Sequence, residues 1–285
     1  MPGIAVLPYG RRLCPELANV PVSELLWPLG CPGRLTGANV GDLGGDDHLI
    51  VFPKTATHFA IRKGTKAQIS LILGEPSVIN AKHLMLLRQS HRRFWRVLSF
   101  NESLLGRIPN GIFFPLGTTW VPEWRDLGLN KTAMCSLIAS SKRDSDGHKL
   151  RHTMVDWVRK TGLDVDVMGR GYTGFEHKAE GLAPYRYSVI IENVREKNYF
   201  SEKLVDAVLC NTVPIYWGCP NLARFFDPTG IIQCQSEDDL KRAVNTMSKQ
   251  DFAGRLPQLE TLQPLVAKYC DLEKRAALAI RDSLR

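Results

Sequence analysis

The chain has 285 residues, 44% of them hydrophobic and 23% charged, an ordinary globular composition long enough for one large domain or two of usual size. No run approaches the ~18 uninterrupted apolar residues of a membrane-spanning helix. The seven cysteines are odd in number, widely spaced and without a CxxC pair. That argues against a disulfide framework or zinc site and for a reducing compartment. A net charge of +8 favours anionic partners, but no zinc finger, RNP sequence or basic zipper is present, so nucleic acid is not expected among them.

The first residues, "MPGIAVLPYGRR", hold only a short apolar segment with no charge before it. That is a poor signal peptide, and a cytoplasmic protein is expected. Apolar runs predict strands at 4–7, 48–52, 68–73, 95–100 and 111–114, then at 133–139, 164–168, 187–192, 213–217 and 230–233. Helical spacing predicts helices at 78–91, 149–161, 201–210, 236–248 and about 257–283. Strands alternating with helices indicate parallel sheets, hence an α/β fold. The Gly-rich stretch 37–47, "GANVGDLGGDD", lacks the Lys-Ser/Thr ending of a P-loop and reads as a flexible surface loop. The basic stretch 82–107 reads first as a solvated helix face, and it leaves peripheral association with anionic surfaces open. The segment 118–131, "TTWVPEWRDLGLNK", has no clear period and reads as a linker.

Two motifs in the second half are weak. Gly169-Arg-Gly-Tyr-Thr-Gly174 matches GxGxxG after a strand, but the "FEHKAEGLAP" that follows does not open a helix as a dinucleotide site requires. Asp164 and Asp166 form a DxD inside a predicted strand, which suits strand entry better than a metal site. No metal is therefore expected.

The stretch 192–218, "ENVREKNYFSEKLVDAVLCNTVPIYWG", is the informative one. Glu192 and Asn193 close one apolar run, and Ser201, Glu202 and Lys203 open a helix. Strand-to-helix handovers are where α/β proteins bind ligands. Ser201 is a good N-cap, and Leu204, Val205, Val208 and Leu209 form one apolar stripe. Lys203 sits in the first turn, where the helix end is already positive. A bound phosphate would remove that conflict, and so would pairing with Glu202 or another acid. Arg151 follows another strand, near the start of its helix, and its guanidinium could reach a diphosphate with two prongs.

These residues carry a resemblance. "YRYSVIIENVREKNYFSEKLVDAVLCNTVPIYWG" resembles the signature of the α-1,3-fucosyltransferases, glycosyltransferase family 10, in Tyr187, Glu192-Asn193, Tyr199, Ser201-Glu202-Lys203 and Val213-Pro214 through Gly218. Upstream, "HKLRHTMVDWVRKTGLDVDVMGRG" is similar to the family's Arg-bearing helix and the strand after it. The likeness covers about 95–235. Ser201 stands where the family often has Thr, and Val194 and Arg195 replace small polar residues.

The resemblance implies a GT-B architecture, two Rossmann-like domains facing across a cleft. The expected division is an acceptor-binding domain at 1–125 and a donor-binding domain at 126–285 that includes the terminal helix. It further implies GDP-fucose as donor, a glycan or glycolipid acceptor, inversion at the anomeric carbon and no cofactor or essential metal. On this resemblance Arg151 and Lys203 neutralise the diphosphate, Glu202 takes the ribose hydroxyls, and Tyr187, Glu192, Asn193 and Tyr199 shape the donor pocket. Three alternatives remain at this level: another nucleotide sugar on the same fold, a non-catalytic glycan- or nucleotide-binding protein, or, against the missing motifs, a basic nucleic-acid binder using the 82–107 stretch. An inverting transfer needs a base. Glu75, between Gly74 and Pro76 at the end of an apolar run, is the expected one, unless it merely caps a helix beginning near Ser77. Asp46, Asp47 and His48 are the next candidates.

Overall fold

The ten apolar runs become ten strands in a computed structural model, which describes residues 2–60, 63–128 and 130–284. They divide between two units, Met1–Leu116 with Leu272–Arg285, and Gly117–Asp271.

The first unit holds β1 (Ile4–Val6), β2 (His48–Val51), β3 (Gln68–Leu73), β4 (Val97–Ser99) and β5 (Gly111–Phe113), all parallel and in that spatial order. Alternate residues serve two cores. Ala5, Leu49, Val51, Ile69, Leu71 and Val97 face one side, where α1 (Ala81–Ser90) and α2 (Glu102–Leu105) contribute Leu87 and Leu104. Ile4, Val6, Ile50, Ile72 and Leu98 face the other, where the C-terminal helix Leu272–Asp282 supplies Leu272, Ala276, Ala277 and Ile280. Burial on both faces is why these strands read as continuous apolar runs.

That packing moves the expected domain boundaries. The first unit ends at 116 rather than 125, and the terminal helix belongs to it, not to the second unit. The helix expected over 257–283 is accordingly two, broken around residues 267–271 where the chain returns to the first sheet. The stretch 37–47 is not a loose surface loop. Val40 and Leu43 are buried, and Asp47 accepts from the Gly3 and Gly44 backbone N–H groups and pairs with Arg34.

The second unit contains β6 (Ala133–Ile138), α3 (Asp146–Thr161), β7 (Val165–Met168), β8 (Tyr185–Ile191), α4 (Glu202–Leu209), β9 (Val213–Trp217), β10 (Ile232–Gln233), α5 (Glu237–Asn245) and α6 (Lys249–Val266). Its five strands are parallel in the order β10-β9-β8-β6-β7. The chain moves outward from β6 to β7, then resumes on the other side of β6 at β8. Right-handed crossovers therefore send α3 and α4 to opposite faces. The strand order thus reverses between β6 and β8, and the carboxyl ends of strands at such a reversal are where these sheets bind ligands. Leucines, valines and Phe200, fully buried, fill one core around this sheet.

Candidate functional site

Glu192 and Asn193 leave the carboxyl end of β8, and the loop after them returns as α4. The first turn of α3 lies directly against them. Gly147 donates its N–H to the Asn193 carbonyl at 3.0 Å, and a Cβ at this glycine would fall 1.7 Å from the Glu192 carbonyl oxygen. Gly218, after β9, approaches Glu192 from the other side, with a Cβ position 2.6 Å from the Glu192 Cγ. Only residues without a side chain fit either place.

Glu192 is fully buried. It accepts from the Ser201 backbone N–H at 2.8 Å and from the Ser201 hydroxyl at 2.7 Å. Ser201 in turn caps α4, its oxygen accepting from Lys203 N at 3.3 Å and Lys203 Nζ at 3.2 Å. The ammonium of Lys203 lies 2.9 Å from Glu202 Oε1 and 3.8 Å from Glu192 Oε2. Burial pulls Lys203 downward, but the Glu202 and Glu192 carboxylates outweigh it, and the group is held above its ordinary value. Burial pushes Glu202 upward, yet Lys203 and Lys178 bring it down to about 2. The first-turn lysine thus finds its acid in Glu202, the second of the two readings open in the sequence. Its side chain keeps 24% exposure.

On α3, Arg151 is 5% exposed. Its Nε donates to the Ile191 carbonyl and its Nη2 to Asn193 Oδ1, both at 2.9 Å. The helix begins at Asp146 rather than 149, capped by Ser145, so Arg151 lies in the second turn, not the first. Beside it His148, bonded to Ser145, is held below its ordinary value by burial and by Arg151.

Arg151, Glu192, Asn193, Glu202 and Lys203 therefore come together at the carboxyl edge of one sheet. Tyr199 is buried in the loop between β8 and α4, and Glu192 is equally enclosed, so both support the site's backbone instead of lining a pocket. Tyr187 is not brought to the site. It lies early in β8, fully buried, its hydroxyl donating to the Ser248 carbonyl and Asp251 Oδ2 at the start of α6.

Sequence reasoning missed a third cation. Lys178 pairs with Asp206 at 2.8 Å, lies 3.9 Å from Glu202 and sits 4.9 Å over the Trp120 ring. Asp206 also accepts from the Thr119 hydroxyl at 2.6 Å. Burial, against which Lys178 works only in part, holds Asp206 above its ordinary value. Lys178 follows the Gly-rich segment 169–174, which leads into a 3-10 turn, Lys178–Gly181, and not into a long helix. Asp166 accepts from the Tyr185 hydroxyl at 2.8 Å.

In the first unit, Glu75 is exposed just past the carboxyl end of β3. It does not cap a helix: α1 starts at Ala81 with Asn80 as N-cap, and Asn80 Nδ2 donates to the Glu75 carbonyl. Asp46, Asp47 and His48 lie at the amino end of β2, the opposite edge of that parallel sheet. Asp47 is consumed by Arg34, Gly3 and Gly44.

Residues 129–253 match the family model described as "Glycosyltransferase family 10 (fucosyltransferase) C-term". The curated relatives include an alpha-(1,3)-fucosyltransferase FucT of Helicobacter pylori, 31% identical over 70 residues, 25% of this chain. A putative fucosyltransferase-like protein of Arabidopsis thaliana is 25% identical over 142 residues, 49% of this chain. These matches span only 15% and 26% of the relatives' own lengths. Among solved structures, an alpha1,3-fucosyltransferase with GDP-fucose aligns with a TM-score of 0.51 at 17% identity, covering 78% of this chain and 73% of that one. TarM aligns with a TM-score of 0.54 at 12% identity, covering 85% and 55%. The fold is that of the GT-B glycosyltransferases. Within the second unit, residues 129–253 are similar to the C-terminal domain of the family 10 glycosyltransferases.

Proposed function

We propose that the protein is an inverting glycosyltransferase that moves L-fucose from GDP-fucose to a hydroxyl of a glycan. The observation that carries this is the Arg151–Asn193 and Glu192–Ser201–Lys203–Glu202 constellation at the strand-order reversal, within the segment that matches the family. The fucosyltransferase family matched by residues 129–253, and the GDP-fucose bound by one solved relative, supply fucose and GDP.

The acceptor oxygen attacks the anomeric carbon from the face opposite the phosphate. The carbon–oxygen bond to the diphosphate breaks, GDP leaves with the electron pair, and Glu75 takes the acceptor's proton. Lys203 and Arg151 offset the charge that grows on the leaving diphosphate. Glu202, kept ionised by its two lysines, accepts from the ribose hydroxyls. No metal or cofactor takes part in this scheme, in which Lys203 and Arg151 contact the leaving group in a metal's place. Activity in EDTA equal to that with Mn²⁺ is expected, and activity that depends wholly on Mn²⁺ would remove this feature.

The main test is a thermal-shift panel of GDP, UDP and CDP. GDP at ~100 times its dissociation constant should add about 2.7 kcal/mol of stability, with UDP and CDP well behind. A preference for UDP would replace fucose by another donor sugar. No response to any nucleotide would favour a non-catalytic role.

A further inference from the structure

Between His48 and Asn101 the sequence has nine lysines and arginines and one acid, Glu75, so this segment alone carries the whole net charge of +8. In the first unit Lys82 and Arg88 lie on α1, and Arg92 and Arg93 in the turn after it. Lys82, Arg88 and Arg92 are exposed, and none forms an ion pair with a carboxylate among the described residues. They crowd one another as well: Lys63 is held down by burial and by Arg93, and His83 by burial and by Lys82.

The same face is apolar where a soluble surface has no need to be. Val78 is 72% exposed, Ile79 51%, Met85 61% and Phe59 60%. Lys82, Met85 and Arg88 follow one another at intervals of three within α1, the spacing of one helix face, with Val78 in the turn before the helix and Arg92 in the turn after it. Leu87, on the other side of α1, is buried in the core. Phe59 is held beside this face by two contacts. A 2.9 Å bond joins His58 Nε2 and His83 Nδ1, and Arg93 Nη2 donates to the Ala60 carbonyl at 2.7 Å.

Basic side chains alone would suit any polyanion. Valine, isoleucine and methionine placed among them give nothing to a phosphate backbone in water, but they gain by entering the acyl boundary beneath anionic headgroups. We infer that the α1 face of the first unit docks the protein on an anionic lipid bilayer. The cations approach the headgroups while Val78, Ile79, Met85 and Phe59 enter the layer below. This does not depend on the donor or on catalysis, and it survives if fucosyl transfer proves wrong.

The test is flotation of the full chain with vesicles of phosphatidylcholine alone or mixed with phosphatidylglycerol. Binding should require the anionic lipid and weaken with salt. Lys82→Glu with Arg88→Glu and Arg92→Glu should cut it by ~100-fold or more, since each basic group near an anionic surface contributes about fivefold. Val78→Ser with Met85→Ser should cut it by about tenfold while leaving the salt dependence unchanged. All five positions are exposed, so circular dichroism should match the parent. Three results would overturn the inference: equal binding to both vesicle types, indifference to either set of changes, or tight binding of duplex DNA or RNA that Val78 and Met85 do not affect.

Discussion

Gly147→Ala separates two opposed effects on one residue. In an open helix, replacing glycine by alanine gains about 1 kcal/mol through backbone entropy. At 147 the new Cβ would lie 1.7 Å from the Glu192 carbonyl oxygen and 2.8 Å from that of Asn193. Real Cβ contacts do not fall below 3.0 Å, so α3 or the Glu192–Asn193 backbone must retreat by more than about 1 Å. Overpacking of that kind costs ~1–3 kcal/mol, and stretching the Gly147 N–H bond to Asn193 forfeits about 1 kcal/mol more. The clash wins, and a net loss of ~1–3 kcal/mol is expected. Gly254→Ala is the internal comparison. It too replaces a helical glycine, inside α6, but its Cβ position has no neighbour within 4 Å, so it should gain about 1 kcal/mol. Urea denaturation followed by tryptophan fluorescence reads both, and calorimetry with GDP reads the site. GDP affinity should fall in the first variant and hold in the second. If Gly147→Ala were as stable as the parent and bound GDP equally, the close approach of α3 to Glu192 would be refuted.

Lys203→Ala should weaken GDP binding by about 1.5–3 kcal/mol, the worth of a charge-assisted hydrogen bond; unchanged affinity by calorimetry would remove Lys203 from the diphosphate site. Glu75→Gln should keep GDP affinity while kcat falls ~10²–10⁴-fold, and a variant retaining more than a tenth of the rate would exclude Glu75 as the base. Glu202 has a folded pKa of about 2 against an ordinary 4.5, so it contributes stability that is present above 4.5 and lost as pH falls through 2. Glu202→Gln should therefore flatten the acid limb of urea midpoints in that window, and an unaltered limb would show that the depression is not there.

The ten strands were legible because parallel strands buried on both faces are written as uninterrupted apolar runs, and no neighbouring element is needed to see them. The stretch from Pro15 to Asp47 was not, since its 3-10 turns have no period to read. The terminal helix was seen, but its allegiance was not. Nothing near Ala276 and Ile280 reveals that their partners are Ile4 and Val6, more than two hundred residues earlier. In the site, Glu192, Ser201, Glu202 and Lys203 lie within twelve residues and announced themselves. Lys178 and Gly147 reach the same spot only through the sheet order, and no local signal marks them. Tyr187 was assigned to the site by its place in a motif. It stands five residues before Glu192 on an extended strand, which at ~3.3 Å per residue leaves it about 16 Å from the edge where ligands bind.

The charges at that edge constrain how a donor is held. Arg151, Lys178 and Lys203 face Glu192, Glu202 and Asp206, three cations against three acids. Attraction of a diphosphate by a standing surplus of positive charge is therefore not available here. What the arrangement permits is exchange. Lys203 holds Glu202 at 2.9 Å, with Glu192 and Ser201 fixing the stem of the turn from behind. On the proposed reading, an arriving diphosphate competes for the Lys203 ammonium, and Glu202 turns its released oxygen to the ribose hydroxyls while Lys178 keeps it ionised. Nucleoside and diphosphate then depend on each other. A nucleoside without phosphates meets a Glu202 still occupied by Lys203, and pyrophosphate without a ribose leaves Glu202 with only the more distant lysine. Binding of GDP should consequently exceed what guanosine and pyrophosphate achieve separately, and in Glu202→Gln that advantage should largely disappear. If calorimetry found the advantage intact in that variant, Lys203 would not be shared between Glu202 and the phosphates.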